Sequence, residues 1–456
     1  MQPLSRTSIF AFILSFVFLS VLALVGYETP REEFGQFILL YMASFAIFYS
    51  IWINHQKWKF YHFFILALLA RLVLLFAAPE LSNDFYRFIW DGELITRGVN
   101  PYAHTPNELI SQGPFYNDQY MRVLYHGMGD LSQRNYSCYP VFNQLLFYFP
   151  ASLTDSVQTN VILLKIVVML GDVGVILIGR KLLRLLGKSE HLIWLYALNP
   201  FIILEFAGNL HFEGVMIFFI LLSIYYVLLD KWLFAAVFFG IAIQIKLIPI
   251  LLLPFLFKKM KWKRSLGFTA MTTIVVLLLG VMMISPRFFD NMMSSVNLYF
   301  TQFEFNASLF YLVREISLAT VGWDEIAFYG PLFSKLAVVG VGLLAVFKAY
   351  RNESSIFTGM LFALVIYYAF ATTVHPWYIS LVLIFSIFTQ YKFGLVWSLL
   401  IMLSYFAYSN PAFEENLLLV LIEYLLVFGI MIYEIIRNTN KKDFGLQLKS
   451  FFSDHD

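Results

Sequence analysis

Cysteine is almost missing from this chain: one residue, Cys138, in 456. A single thiol excludes an intramolecular disulfide and leaves no thiolate cluster for a metal. Charge is scarce too, at 13% of residues, where soluble domains carry about a quarter. The net charge is only +2 and no free basic stripe stands apart from the apolar runs, which argues against a nucleic-acid partner. No internal repeat is visible, which counts against a two-halved secondary transporter.

What fills the chain instead is apolar, 60% of residues. Runs long enough to cross a hydrocarbon layer of ~30 Å recur from end to end. Lipid cannot satisfy a bare backbone, so such runs have to be helices. The fold class is therefore all-α, a polytopic membrane helical bundle of about 12 spans. The predicted spans are Ser8–Gly26, Phe34–Ile53, Phe60–Ala78, Gln158–Arg180, His191–Ala207 and Phe212–Leu229, followed by Leu266–Ile284, Pro331–Ala349, Ile356–Ala371, Trp377–Thr389, Phe393–Tyr408 and Leu417–Ile436. The first follows a basic start with Arg6, and without a clean small-x-small cleavage pattern it reads as a retained span.

Lysine and arginine bias orients the bundle. Lys57/Lys59, Arg180/Lys181/Arg184/Lys188, Lys258 to Arg264, Lys348/Arg351 and Lys441/Lys442 mark the cytoplasmic side. Trp232–Phe257 looks like one span, yet that would put Lys231 and the Lys258–Arg264 cluster on opposite sides. A broken-helix hairpin turning near Lys246 and Pro249 removes the conflict, since broken helices are tolerated where they line a protein cavity. The chain then divides into N-terminal spans (1–78), an external loop (79–157) and a bundle (158–456) containing a second external loop (285–330). Both loops hold arginines, no lysine and many aromatic residues, and are expected to form helices lying on the bilayer surface.

The densest polar cluster is Asn83-Asp84-Phe-Tyr-Arg87-Phe-Ile-Trp90-Asp91-Gly92, followed by Gly98-Val-Asn100-Pro101-Tyr102. Asp84, Arg87 and Asp91 share one helical face by their spacing. A carboxylate beside a guanidinium keeps a low pKa and stays ionised, which suits a base or a hydroxyl-orienting group. The plain alternative is a surface helix anchored by a salt bridge and a tryptophan.

Asp-x-x-Arg-x-x-Trp-Asp-Gly followed by Gly-x-Asn-Pro-Tyr resembles the first external loop of the C-type glycosyltransferase superfamily (GT-C), and more narrowly of polyprenol-phosphate-mannose-dependent mannosyltransferases. Tyr139-Pro140 with Asn143-Gln144, Lys246-Leu-Ile-Pro249, Asn306-Ala-Ser-Leu-Phe and His375-Pro-Trp-Tyr378 fit the same pattern, in order, from residue 83 to 378. In that superfamily the acidic loop commonly follows the first span, whereas here it follows the third, making Ser8–Ile53 an added pair. The resemblance implies a sugar moved from a polyprenyl-phosphate donor to a glycan or glycolipid acceptor, with inversion, at the outer face of a prokaryotic cytoplasmic membrane. Asp84 would be the acceptor base, with Arg87 and Asp91 beside it. Lys246, His375, Arg287 and Arg314 would hold the donor phosphate, and Trp90, Asn100, Tyr102, Tyr139, Gln144, Asn209, His211, Glu213, Asn306, Trp377 and Tyr378 would contact substrate. No cofactor is implied, and GT-C members differ on whether a divalent cation assists.

Each residue also has a plainer reading. Lys246 sits mid-stretch, where an ammonium usually faces a cavity but can snorkel to the interface. His375 fits an aromatic belt equally well, and most loop arginines fit lipid headgroups. Asn209, His211 and Glu213 read first as turn residues, because two ligands do not make a metal site. Lys165 and Asp172 lie on one face of one span and are expected to offset each other. Two other function classes remain in view: a lipid-linked oligosaccharide flippase or transporter, and a surface-polysaccharide polymerase or ligase.

Overall fold

The computed structural model describes residues 6–453. The side chains of residues 6–9, 57 and 440–453 lie outside the described residues, and with them Arg6 of the basic start and the cytoplasmic marks Lys57, Lys441 and Lys442. Among the described residues all regular elements are helical, apart from one isolated bridge between Phe305 and Thr373. The chain is an α-helical membrane bundle.

Each of the predicted spans falls on helix, but the helices are of two kinds. Six are long and apolar enough to cross a membrane: Phe10–Tyr27, Phe34–Ile53, Val157–Leu185, Trp262–Met283, Ile326–Phe347 and Leu417–Thr439. The pair Glu190–Ala197 and Pro200–Gly208 is together as long and apolar, and is bent by 52° at Asn199, whose side chain accepts from the Phe201 amide. The remaining apolar helices, among them Phe60–Val73, Glu213–Leu228, Trp232–Ile243, Ser354–Phe370 and Pro376–Ile387, are shorter. Most of the long helices bury little of their surface, down to 11% for Trp262–Met283, as a lipid-facing perimeter requires. Of the short ones Ile379–Ile387 is wholly interior, every residue being buried, whereas Phe60–Val73 and Trp232–Ile243 each keep an exposed apolar side.

Charge inside this bundle is paired across helices. Arg71 Nε binds Asp172 at 2.5 Å, its Nη1 reaches the Ala67 and Ala197 carbonyls, and Tyr196 donates to the other Asp172 oxygen at 2.7 Å. Lys165 does not offset Asp172 as expected. Its ammonium caps the end of the Phe60–Val73 helix instead, donating to the Leu74 and Ala77 carbonyls at 2.9 and 2.7 Å. Carbonyls left open at a helix end inside a bundle need a donor, and they are nearer to Lys165 than a carboxylate already held by an arginine.

The helix-like stretch after Trp232 breaks at Ile243, with Lys246 in the gap, and resumes as a tight turn of helix at Ile248–Leu252 that leads into Leu253–Leu256. Asp230 pairs with Arg264 at 3.1 Å, and the Trp232 ring lies against Gly267. Both ends of the segment therefore meet at one level, which is the hairpin expected from the lysine distribution.

The two long loops differ from each other. Phe288–Thr301 and Leu309–Thr320 expose Phe289, Met293, Leu312 and Ile316, as interfacial helices do. Asp84–Thr96 is not a surface helix. Phe85 and the run from Arg87 to Leu94 are buried, and it packs on Val141–Ala151 so closely that a Cβ at Gly92 would stand 2.5 Å from the Phe147 oxygen. The Asp91-Gly92 glycine is thus a packing requirement.

Cysteines introduced at Lys231 and Lys261, in a Cys138→Ser background, should both react with an impermeant maleimide applied from the same side of sealed vesicles. Reaction from opposite sides would break the hairpin and redraw the topology after it.

Candidate active site

The Asp84–Thr96 helix begins at Asp84, with Ser82 Oγ accepting from the Asp84 amide at 3.3 Å. A carboxylate in a first helical turn faces the positive end of the peptide dipoles. One turn on, Arg87 does not reach back to Asp84. Its Nε binds Asp91 Oδ1 at 2.7 Å and its Nη1 donates to the Ser132 and Asn135 carbonyls. The other Asp91 oxygen accepts from Ser137 at 2.6 Å and Gln144 at 2.9 Å. Asp91 is fully buried. This clamp ties the external loop to itself, and Asp91 and Gln144, expected in catalysis and substrate contact, have a scaffold part in it and do not line the cavity.

Several motif neighbours share that fate. Trp90 is buried near Phe115 and Tyr125, Asn100 Nδ2 donates to the Met283 carbonyl at 2.7 Å, and the Tyr102 hydroxyl donates to the Tyr139 carbonyl at 2.5 Å. Polar groups withdrawn from water need partners, and Asn100 and Tyr102 find theirs in backbone carbonyls.

A cavity of about 520 Å³ opens beside the clamp. Asp84, Arg87, Tyr139, Glu213, Lys246, His375, Trp377 and Tyr378 line it, brought from five separate stretches of sequence. Lys246, freed by the helix break, forms an ion pair with Glu213 at the start of the Glu213–Leu228 helix and lies 5.7 Å from the Tyr378 ring centre. It faces the cavity wall and does not snorkel. Asp84 has no ion-pair partner among the described residues. Burial raises its pKa to about 6; the positive field of Lys246 opposes the rise and the negative field of Glu213 adds to it. The low pKa expected from Arg87 does not arise, because Asp91 holds that guanidinium.

His375 is an interior residue, not a belt anchor. Its ring stacks on Trp377 at 4.5 Å, and Trp377 stacks in turn on His211 at 3.7 Å. Burial, with help from Lys246, pushes the His375 pKa down to about 3, which favours the neutral form of the two an imidazole can take near neutral pH. Pro376 opens the tight turn Pro376–Tyr378 before Ile379–Ile387, as the sequence implies.

The remaining candidates lie elsewhere. Arg287 is exposed at the start of Phe288–Thr301 and does not line the cavity. Arg314 is taken by Glu304 and Glu315, at 2.8 and 2.9 Å. Asn209 and His211 gather around Glu205, a buried carboxylate that also accepts from Tyr405 at 2.8 Å. Asn306 is fully buried against Glu423 and Glu415. Substrate contact by Asn209 or Asn306 is therefore indirect at most. Among the described residues no group of three or more His, Cys, Asp or Glu side chains could hold a metal ion.

Sequence reading overlooked Tyr299, Tyr408 and Cys138 on the cavity lining, and the buried acids Glu205 and Glu423. The acids carried a usable signal, a lone carboxylate in an apolar run. The tyrosines carried none, because 27 tyrosines are spread over the chain.

Residues 33–261 match a family model described as alpha-(1→6)-mannopyranosyltransferase, N-terminal domain. That stretch is half of the chain and includes Asp84, Glu213 and Lys246, but not His375. A protein named alpha-(1→6)-mannopyranosyltransferase A, from Corynebacterium glutamicum, is 23% identical over 186 residues, 40% of this chain and 35% of that protein. The chain thus matches about a third of that relative's length. No solved structure matches the chain.

The clamp separates two carboxylates that the sequence treats alike. Asp91→Ala strands the buried Arg87 and should destabilise the fold by about 3–5 kcal/mol, read as a fall in melting temperature in detergent. Asp84→Asn, which breaks no ion pair, should leave that temperature unchanged. Equal melting temperatures for Asp91→Ala and the parent would contradict the scaffold assignment.

Proposed function

The chain belongs to the alpha-(1→6)-mannopyranosyltransferase N-terminal-domain family, and from that premise we propose that it is an inverting GT-C mannosyltransferase of the membrane, taking its sugar from a polyprenyl-phosphate donor. The observation that carries this reading is Asp84: an ion-pair-free carboxylate with a pKa near 6, lining one cavity with Lys246 and His375. A base is most useful when its pKa lies close to the working pH. At neutral pH this one is ionised and still basic enough to take a hydroxyl proton as the bond forms.

A lipid-linked donor suits the rest of the lining. The cavity lining also includes the apolar Ile250, Leu251, Val296 and Val338, of which Ile250 and Val338 are 49% and 61% exposed. A phosphate at the polar end would leave its isoprenoid chain among these residues, in contact with membrane lipid. The external loop 79–157 would supply the catalytic wall and 158–456 the donor wall, on the extracytoplasmic face of the cytoplasmic membrane. The acceptor, a glycan or glycolipid, would enter from the aqueous side.

The step is a single displacement. The acceptor oxygen bonds to the anomeric carbon as its proton passes to Asp84. The bond from that carbon to the phosphate oxygen breaks with its electron pair, releasing polyprenyl phosphate and inverting the anomeric centre. Charge growing on the phosphate meets the Lys246 ammonium and an N–H of the neutral His375, both fixed in advance by their packing. Phosphate is already a good leaving group, so no general acid is required. A flippase would need no base, and a polymerase would take its sugar from a glycan carried on lipid diphosphate. Radiolabelled polyprenyl-phosphate mannose separates the three, since only the proposed enzyme makes a mannosylated product from it.

Asp84→Asn should lower turnover by about 10²–10⁴ while donor binding persists. The parent's rate should fall as pH drops below about 6, with about a tenth of Asp84 ionised at pH 5. Turnover within about threefold of the parent would remove Asp84 from the base role. His375→Ala should raise the donor KM more than the acceptor KM in titrations at fixed co-substrate. An unchanged donor dependence would take His375 out of the phosphate site.

A further inference from the structure

His375 is reached by a chain of contacts that begins in the C-terminal helix. The residue before it, Val374, donates its amide to the Phe305 carbonyl at 2.8 Å, and the Phe305 amide donates to the Thr372 carbonyl at 3.0 Å. Thr373 Oγ1 also donates to the Phe303 carbonyl, at 2.9 Å. This short bridge is the chain's isolated strand-like pairing among the described residues. The rings of Phe303 and Phe305 then stand 5.8 and 5.1 Å from the His375 ring, which also stacks on Trp377.

What holds the other side of the bridge is Asn306. It is fully buried and adopts a left-handed conformation, φ 46°, unusual for a residue with a side chain. Its amide donates to Glu415 at 2.7 Å, its carbonyl accepts from Tyr424 at 2.6 Å, and its side-chain NH₂ lies 3.2 and 3.3 Å from the two Glu423 oxygens. Glu423 is fully buried as well and accepts from Trp397 Nε1 at 2.8 Å. A buried acid in a lipid-spanning helix is costly. Glu423 spends its oxygens on Asn306 and Trp397, and none of these three residues lines the cavity.

We propose that Asn306, clasped by Glu423 and Glu415, is a positioning residue that sets the place of the His375 ring in the cavity through the Phe305–Val374 bridge. This rests on the reading of His375 as a donor contact, but the clasp itself is independent of the reaction. Left-handed Asn306 turns the chain sharply after Phe305, and the tie of its side chain to Glu423 pins that turn against the C-terminal helix. Loss of the clasp frees Phe305, then the 372–374 strand, then the ring. A displacement of about 1 Å at a binding group is enough to change rate or affinity severalfold.

The test uses the full-length protein in detergent and two readouts. One is the rate of carbethoxylation of His375 by diethyl pyrocarbonate, followed by peptide mass spectrometry; the other is the donor KM against kcat. Asn306→Gly keeps the left-handed backbone and removes only the side-chain tie, so it should fold. It should raise the carbethoxylation rate of His375 and the donor KM, the latter by roughly tenfold, with kcat within about twofold. Glu423→Leu should do the same where it folds, and Glu423→Gln, which keeps an acceptor for Trp397 and Asn306, should restore parent values. Unchanged His375 reactivity in folded Asn306→Gly overturns the proposal, whatever the melting temperature does. Raised reactivity with an unchanged donor KM supports the clasp and removes His375 from donor binding.

Discussion

A charge taken out of water into an apolar bundle must be compensated or given up, and the interior of this protein is arranged around that demand. Arg71 has Asp172, Arg87 has Asp91, and Lys246 has Glu213. Lys165, with no carboxylate to spare, is satisfied by two carbonyls at a helix end. Asp84 is the acid on the cavity wall left without an ion pair, and its raised pKa records the deficit. An uncompensated carboxylate destabilises a fold, and a site that must accept a proton is where such a group has a use.

Part of the backbone irregularity follows the same geography. The helix break before Lys246, the left-handed turn at Leu210, the left-handed Asn306 and the tight turn after His375 all lie in the parts of the chain that build or brace the cavity. In lipid an interrupted helix exposes unpaired backbone, so interruptions are tolerated only where protein or a wet cavity covers them. The perimeter helices, such as Trp262–Met283 and Ile326–Phe347, are long and mostly lipid-exposed. Two shorter helices adjoin the cavity's polar side chains: Glu213 opens Glu213–Leu228, and Lys246 follows the end of Trp232–Ile243.

The aromatic content has a related role. Tyr139, Tyr299, Tyr378 and Tyr408 wall the cavity, and His375, Trp377 and His211 form one continuous stack beneath it. Rings give a rigid wall with few rotatable bonds and can face an apolar chain on one side and a polar group on the other. Such a wall fits an amphipathic occupant, a charged head on a hydrocarbon tail.

Hydropathy and charge distribution alone determined the helical membrane bundle, its main spans and the hairpin at Lys246, because lipid imposes length and backbone pairing on any segment and excludes charge wherever it is unpaired. The motif order also pointed to Asp84, Lys246, Trp377 and Tyr378, which do meet in one cavity. Tertiary structure decided the rest, through partner choice. Nothing in Asp-x-x-Arg-x-x-Trp-Asp says that Arg87 closes on Asp91 and abandons Asp84, that Asn306 turns inward to Glu423, or that His375 is stripped of charge by burial. Those outcomes depend on which groups from distant helices reach the same few ångströms, and a linear pattern of residue types does not contain that distance.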